Sequence, residues 1–148
     1  MKTLTIVIVT IAFLLCGCKK TDLNGQNYWH IDNVNYFPKN YVFLDTLPNT
    51  LQGFISNNDN IELVFRYKIK TGIYDIQDYL SGIISPNNCE IVVHTPTNIW
   101  YSSPSNSSLK GYVKVQVNGD KITADFANIF MYTYPIIDST TLDGHLSN

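Results

Sequence analysis

The chain has 148 residues, a formal net charge of −2 at pH 7 and only 15% charged residues, while 45% of its residues are hydrophobic. A chain of this length suits one domain with a substantial hydrophobic core. The near-neutral charge and the lack of a long Lys or Arg run exclude a dedicated nucleic-acid-binding protein, because such proteins neutralise phosphates with a basic surface.

The first seventeen residues have the pattern of a secretory signal. Lys2 gives a basic start, and residues 4–15 contain no charge. A signal peptide has an apolar region of about 7–15 residues, whereas a membrane-spanning helix needs about 20. Lys19 and Lys20 follow at once, so the sequence predicts a signal peptide over residues 1–17 rather than a spanning helix.

The end of this apolar run, Leu15-Cys16-Gly17-Cys18, resembles the cleavage site of bacterial lipoproteins. In that class a Cys follows the cut, a small residue precedes it, and a Leu lies three positions before it. Cys18 fits this pattern, whereas Cys16 would place Leu15 at the small-residue position. The resemblance implies cleavage before Cys18, a diacylglycerol on its sulfur, and a palmitate-type N-acyl chain in many species. Two or three such chains anchor a protein stably, at ~0.8 kcal/mol per buried methylene.

These features divide the chain into three parts and predict its location. After the signal peptide, residues 18–27 carry the lipid and a polar tether, and residues 28–148 form the folded domain. The expected location is the bacterial cell envelope, with the domain anchored to the outer membrane through Cys18. Both the periplasmic face and the cell-surface face of that membrane stay open as positions for the domain.

The cysteines and histidines predict neither a disulfide nor a metal centre. Cleavage removes Cys16 and lipid occupies Cys18, so Cys89 has no intrachain partner. Cys89 alternates with Ile91 and Val93, which is typical of a small hydrophobic residue in a core strand. The three histidines show no zinc-ligand spacing, and no cofactor is predicted.

Alternating apolar and polar residues predict strands along most of the domain. Residues 61–69 give the clearest example, with one apolar and one polar face. Residues 111–127 predict a hairpin with Asn118-Gly119 as a two-residue turn and Val115 opposite Ile122. Further strands are expected at 28–31, 34–37 (after an Asp32-Asn33 turn), 41–45, 51–55, 90–94, 129–134 and 142–146. The predicted fold is all-β, an antiparallel sandwich or flattened barrel of about eight strands.

Residues 95–109 are predicted to be a long loop, because they contain two prolines and five serines. Long loops are often functional, and Trp100-Tyr101 lies in the middle of this one. Aromatic rings with polar tips suit sugars, peptides and partner proteins. Trp100 and Tyr101 are therefore the candidate ligand-binding residues.

Two tripeptides resemble the O-glycosylation acceptor that Bacteroidota use on exported proteins. They are Asp45-Thr46-Leu47 and Asp138-Ser139-Thr140. The resemblance implies that Thr46 and Ser139 are possible modification sites.

Several motifs are similar to those of small Bacteroidota lipoproteins with a β-sandwich-like domain. They are Tyr28-Trp29, Gly72-Ile73-Tyr74, the segments 111–115 and 118–126, and Gly144. The resemblance covers most of the domain and implies an exported, lipid-anchored β protein, but it transfers no catalytic residue. The Pro- and Ser-rich segment 95–109 departs from the pattern.

The sequence favours a binding protein over an enzyme. It has no nucleophile elbow, phosphate-binding glycine loop or Ser-x-x-Lys motif. We expect a lipid-anchored, non-enzymatic module that binds a glycan, a peptide or an envelope partner. Two alternatives stay open: a calycin-like barrel around an apolar ligand, and a hydrolase whose site is assembled from separate strands.

Overall fold

The computed structural model describes residues 25–44, 49–81, 85–104 and 111–148. The predicted signal peptide, Cys18, most of the tether and Thr46 lie outside these ranges. The described residues contain no helix. Accordingly, no helix within these ranges is long and apolar enough to cross a bilayer.

The fold is all-β, as predicted, and its described strands form one mixed sheet of eleven strands. Their order in the sheet is β2-β1-β11-β10-β9-β6-β7-β5-β4-β3, and β8 pairs with β10 and β7. Among the strand pairs of the described residues, β6–β7 alone is parallel. The strands are β1 (Tyr28–Ile31), β2 (Val34–Tyr36), β3 (Asn40–Leu44), β4 (Asn49–Ser56), β5 (Asp59–Phe65), β6 (Gly72–Ile76), β7 (Asn88–His94), β8 (Ile99–Ser102), β9 (Tyr112–Asn118), β10 (Lys121–Thr133) and β11 (Ser139–Ser147).

The two predicted hairpin turns have different outcomes. Asp32 and Asn33 have φ values of 50° and 60°, as a type I′ turn requires, so this turn is confirmed. The prediction for the second turn was wrong by one residue, because Asn118 pairs with Lys121 and leaves Gly119-Asp120 as the turn. Gly119 has φ 61°, which suits the first central position of a type II′ turn.

The register of the β9–β10 hairpin therefore differs by two residues from the predicted register. Val115 pairs with Ala124, and Val117 pairs with Ile122. Because side chains alternate with a period of two, this shift leaves every side chain on its predicted face. The apolar and polar faces of the hairpin therefore form as expected.

The long strand β10 changes partner along its length. Residues 121–127 pair with β9, whereas Met131–Thr133 pair with β8. A bulge separates the two parts, and Asn128 within it has φ 55° and donates its N–H to Asp143 Oδ1 at 2.8 Å. Across this bulge the partner of β10 changes from β9 to β8, and β8 in turn pairs with β7 on its other side.

The inner face of the sheet forms the core. It contains both tryptophans, Trp29 and Trp100, together with Phe65, Met131 and Leu142, all at most 1% exposed. A Cβ placed on Gly53 of β4 would lie 3.1 Å from the side chain of Leu146 on β11. The sheet therefore curls until strands distant in its order pack together, as in a sandwich or flattened barrel.

The domain has two ends, which the β11 strand connects. At one end, Asn27 bonds the carbonyl and the N–H of Ser147 at 2.9 and 2.6 Å. At the other end lie the β10–β11 turn and the β7–β8 turn. Tyr28 pairs with His145, six residues along β11 from Ser139, which is about 20 Å at ~3.3 Å per residue. We call the end with these two turns the distal end.

Candidate ligand-binding surface

The two aromatic candidates lie on opposite faces of β8. Trp100 is 1% exposed and belongs to the core, whereas Tyr101 points outwards and is partly exposed. The expectation that both lie in a surface loop was wrong, because β8 is a strand that pairs with β7 on one side and β10 on the other. Only Tyr101 is available to a ligand on the surface.

Tyr101 is the centre of a tyrosine cluster on the outer face. Its ring centroid lies 5.4 Å from that of Tyr79 and 6.1 Å from that of Tyr132. The Tyr132 hydroxyl donates a hydrogen bond to Asp78 Oδ1 at 3.0 Å. Burial, together with this carboxylate, raises the pKa of Tyr132 to about 12. Tyr132 therefore stays protonated at neutral pH and keeps donating to Asp78.

Asp78 lies in the segment that follows β6, and its carboxylate has further hydrogen-bond partners. It also accepts the Leu80 N–H at 2.9 Å and the Ser103 hydroxyl at 3.4 Å. The buried Ser102 hydroxyl accepts the Ile91 N–H at 2.8 Å and donates to the Gln77 carbonyl at 2.9 Å. These bonds connect the segment after β6 to β7 and β8.

An ion pair between buried Glu90 and partly exposed Arg66 lies on the same face of the sheet. Glu90 is 2% exposed and receives two hydrogen bonds from Arg66, at 2.6 and 3.4 Å. Burial, with the negative charges of Glu62 and Glu90, raises the pKa of Tyr79. The bidentate arginine keeps the buried carboxylate paired, since an unpaired buried charge is strongly unfavourable.

A depression of about 340 Å³ continues from Tyr101 towards the distal end. We call it the distal depression. Its lining comes from the β7–β8 turn and from both sides of the β10–β11 turn: Thr97, Asn98, Ile99, Tyr101, Thr133, Tyr134, Ile137 and Asp138.

The β10–β11 turn exposes large apolar side chains beside this depression. Tyr134, Ile136 and Ile137 are 72%, 77% and 83% exposed. An exposed apolar cluster on a folded domain often marks a site of interaction.

Hydrogen bonds hold the backbone of this turn. Thr133 Oγ1 accepts the N–H groups of Ile137 and Asp138 at 3.3 and 3.2 Å. The Thr133 N–H donates to the Asp138 carbonyl at 3.2 Å. A turn fixed in this way presents its apolar side chains at a low entropic cost of binding.

The predicted modification site Ser139 is exposed at the start of β11. Its backbone N–H donates to Asp138 Oδ1 at 2.8 Å. O-glycosylation of Ser139 and of Thr46 stays a prediction.

Cys89 is fully buried in the core, as predicted. Burial, with the neighbouring Glu90 charge, raises the pKa of its thiol. The thiol is thus kept in its neutral, weakly reactive form.

A His–Asp pair was not predicted from the sequence. His145 Nδ1 lies 2.6 Å from Asp125 Oδ1, because β10 and β11 place these residues opposite each other. Hydrolases use a carboxylate to orient the catalytic histidine in this way, and they also need a nucleophile bonded to that histidine. The hydroxyl of Ser147, two residues along β11, instead lies 3.4 Å from Thr123 Oγ1. The strand register is the only signal for this pair. Across the described ranges, no group of three or more His, Cys, Asp or Glu side chains could hold a metal ion.

Comparisons with models of protein families, with curated proteins and with solved structures find no match to this chain.

Proposed function

We propose that this chain is a lipid-anchored binding module of the bacterial cell envelope, and that its ligand occupies the distal depression. The observation that carries this proposal is the fixed β10–β11 turn, whose exposed Tyr134 and Ile137 line the distal depression together with Tyr101. Such side chains would contribute little to the stability of the domain, whereas burial against a ligand would stabilise a complex.

The chemistry of the depression favours a peptide or a protein partner over a glycan. Ile99 and Ile137 offer aliphatic surface in the depression, which suits apolar side chains better than hydroxyl-rich sugars. Tyr101 and Tyr134 add flat rings, and Asn98 and Asp138 add hydrogen-bonding groups at the rim. A glycan that stacks on the two tyrosines is the second candidate ligand.

The position of the depression agrees with anchoring through Cys18. The described chain starts at the end of the domain that contains Asn27 and Ser147, and the depression lies at the distal end. A lipid on Cys18 would hold the near end at the membrane, so the depression would face away from it.

The two alternatives receive less support from the geometry. A calycin-like barrel needs interior space for its ligand, but the inner face here is filled by Trp29, Trp100, Phe65 and their neighbours. A hydrolase needs its groups in a depression. The Asp125–His145 pair instead lies on the β10–β11 surface, apart from the residues that line the distal depression.

The anchor is tested by labelling cells with an alkyne analogue of palmitate and following the full-length chain. We expect the unchanged chain and Cys16→Ser to be labelled and to sediment with the outer membrane. We expect Cys18→Ser to lose the label. Equal labelling of both variants, or no label on either, would contradict lipidation of Cys18.

The binding surface is tested by probing peptide and glycan arrays with the mature chain. We expect peptides with apolar side chains to be retained, and retention to fall at least about tenfold in Tyr101→Ala, since aromatic interface residues commonly contribute more than ~1.4 kcal/mol. Tyr112→Ala, an exposed tyrosine on β9, is the matched control. Retention by glycans alone would replace the peptide by the second candidate, and retention that is unaffected by Tyr101→Ala would exclude this surface.

A further inference from the structure

The segment between β5 and β6, residues 66–71, forms no strand, but hydrogen bonds fix its backbone. Ile69 is 5% exposed, and its N–H donates to Asn49 Oδ1 at 3.2 Å. The Tyr74 hydroxyl accepts the Lys70 N–H at 2.9 Å and donates to the Lys70 carbonyl at 3.0 Å. Side chains that project from a fixed backbone bind a ligand at a lower entropic cost than those of a mobile loop.

Two lysines of this segment line a depression of about 330 Å³. Lys68 and Lys70 are both exposed, and within the described ranges neither forms an ion pair. None of the described residues that line the depression is acidic. Tyr67 and Ile73 also line it and are 47% and 68% exposed. This lysine depression therefore combines two unpaired cations with exposed aromatic and aliphatic surface.

The lysine depression lies at the near end of the domain, where the described chain begins. Thr71 Oγ1 accepts the Val117 N–H at 2.9 Å. Val117 pairs with Ile122, whose carbonyl accepts the N–H of Asn148 at 3.1 Å. Asn148 directly follows the residue that Asn27 bonds. The lysine depression and the distal depression are therefore at opposite ends of the domain.

We propose that the lysine depression binds the phosphate groups of anionic lipids and so seats the near end of the domain on the membrane. Lysine ammonium groups are attracted to an anionic leaflet within about a Debye length of its surface. Tyrosine suits the interface, since its ring is apolar and its hydroxyl meets water. Ile73 adds apolar surface that the headgroup region can bury. The proposed anchor on Cys18 supplies the membrane at this end, and the inference rests on it in that respect.

Net charge alone would not bring the domain to such a surface, because the formal net charge of the chain is −2 at pH 7. The attraction must come from a local arrangement of cations. Asp120 and Lys121 are adjacent at the β9–β10 turn of the near end, and their charges offset each other. Among the described residues, Lys68 and Lys70 then give the lysine depression its positive charge.

The test couples the mature chain through Cys18 to a maleimide lipid in vesicles. The other cysteine of that chain, Cys89, is fully buried, so coupling is directed to Cys18. The vesicles contain either phosphatidylcholine alone or equal parts of phosphatidylcholine and phosphatidylglycerol. A neutral acylating reagent in the water then measures how accessible each lysine is, by mass spectrometry of the digested chain. Chemical coupling does not depend on lipidation in cells, so this test and the palmitate label can fail separately.

We expect Lys68 and Lys70 to be acylated at least about fivefold more slowly on the anionic vesicles than on phosphatidylcholine alone. Lys39 is the internal control at the distal end. Its N–H donates to the Phe54 carbonyl near the β4–β5 turn, which lies at the same end as the β7–β8 turn. We expect its rate of acylation to be equal on both kinds of vesicle.

Two variants separate the depression from a general effect of charge. Lys68→Gln should reduce the protection of Lys70, because it removes one of the two cations. Lys121→Gln is the matched control, since it removes an equal charge at the near end outside the depression and should leave the protection unchanged. Equal effects of the two variants, or unprotected Lys68 and Lys70 on anionic vesicles, would overturn the proposal. Inorganic phosphate that protects both lysines equally well on phosphatidylcholine vesicles would indicate a site for free anions and overturn it as well.

Discussion

The two faces of the sheet meet different demands, and β8 shows the difference between adjacent residues. Trp100 faces a core of apolar side chains, and no charged residue belongs to that cluster. Tyr101 faces a surface where Asp78, Glu90 and Arg66 each have a hydrogen-bond partner. The inner face thus contributes stability through the burial of apolar area. The outer face holds polar and aromatic groups in fixed positions, as a binding surface needs.

The largest expected contrast is between the two aromatic residues of β8. Trp100→Ala should lower the free energy of unfolding by about 3–5 kcal/mol, because it leaves a large cavity in the core. Tyr101→Ala should cost about 1 kcal/mol, since it loses two ring contacts at a partly exposed site. Urea unfolding of both variants measures the contrast, and equal losses would show that the two faces are energetically alike.

The next contrast concerns the ion pair on the outer face. Arg66→Ala should cost about 2 kcal/mol, because it leaves the Glu90 carboxylate buried without its partner. Lys68→Ala, an exposed cation two residues further along, should stay within about 0.5 kcal/mol of the unchanged chain. If both variants unfold at the same urea concentration, the outer face does not depend on this pair.

The smallest expected effect is confined to alkaline pH. The pKa of Tyr132 is raised from 10.0 to about 12 in the folded domain, so the folded state holds this proton more tightly than the unfolded state. The resulting stability is fully present below about pH 10 and is lost as the pH rises through about 12.

This loss should be smaller in Tyr132→Phe, which has no hydroxyl to ionise. Urea unfolding at about pH 9 and about pH 11 measures the difference, since the window follows from the two pKa values. Tyr112→Phe, at an exposed tyrosine, is the control. A pH dependence that is identical in Tyr132→Phe and in the unchanged chain would contradict the raised pKa of Tyr132 in the folded domain.

Local sequence signals predicted much of the fold. The Asp32-Asn33 turn and the alternation at the start of β5 depend on neighbouring residues alone, and both are confirmed. The end of β5 was predicted too late: the strand ends at Phe65, and Tyr67 beyond it is 47% exposed. The expected total of about eight strands was too low for the eleven that form the sheet, and the predicted segments omit β6 and β8 and divide β10 into two.

The candidate site could be predicted only in part, because its central strand has no apolar alternation. Ser102 occupies an inward position of β8, where a hydrophobic residue would have signalled a strand. It is buried because its hydroxyl bonds the Ile91 N–H and the Gln77 carbonyl, both distant in sequence. The run from Tyr134 to Ile137 likewise resembles core sequence, and only the fold shows that it is exposed.

The most direct test of the proposed site is a hydrogen-exchange footprint on the mature chain, with and without a peptide retained on the array. We predict slower exchange in residues 97–101 and 133–138, on the two sides of the distal depression. The comparison surface is a second depression at the opposite end, lined in part by Lys68, Ile69, Val117 and Asp120. Protection there, with unchanged exchange in residues 97–101 and 133–138, would contradict the distal depression as the binding site.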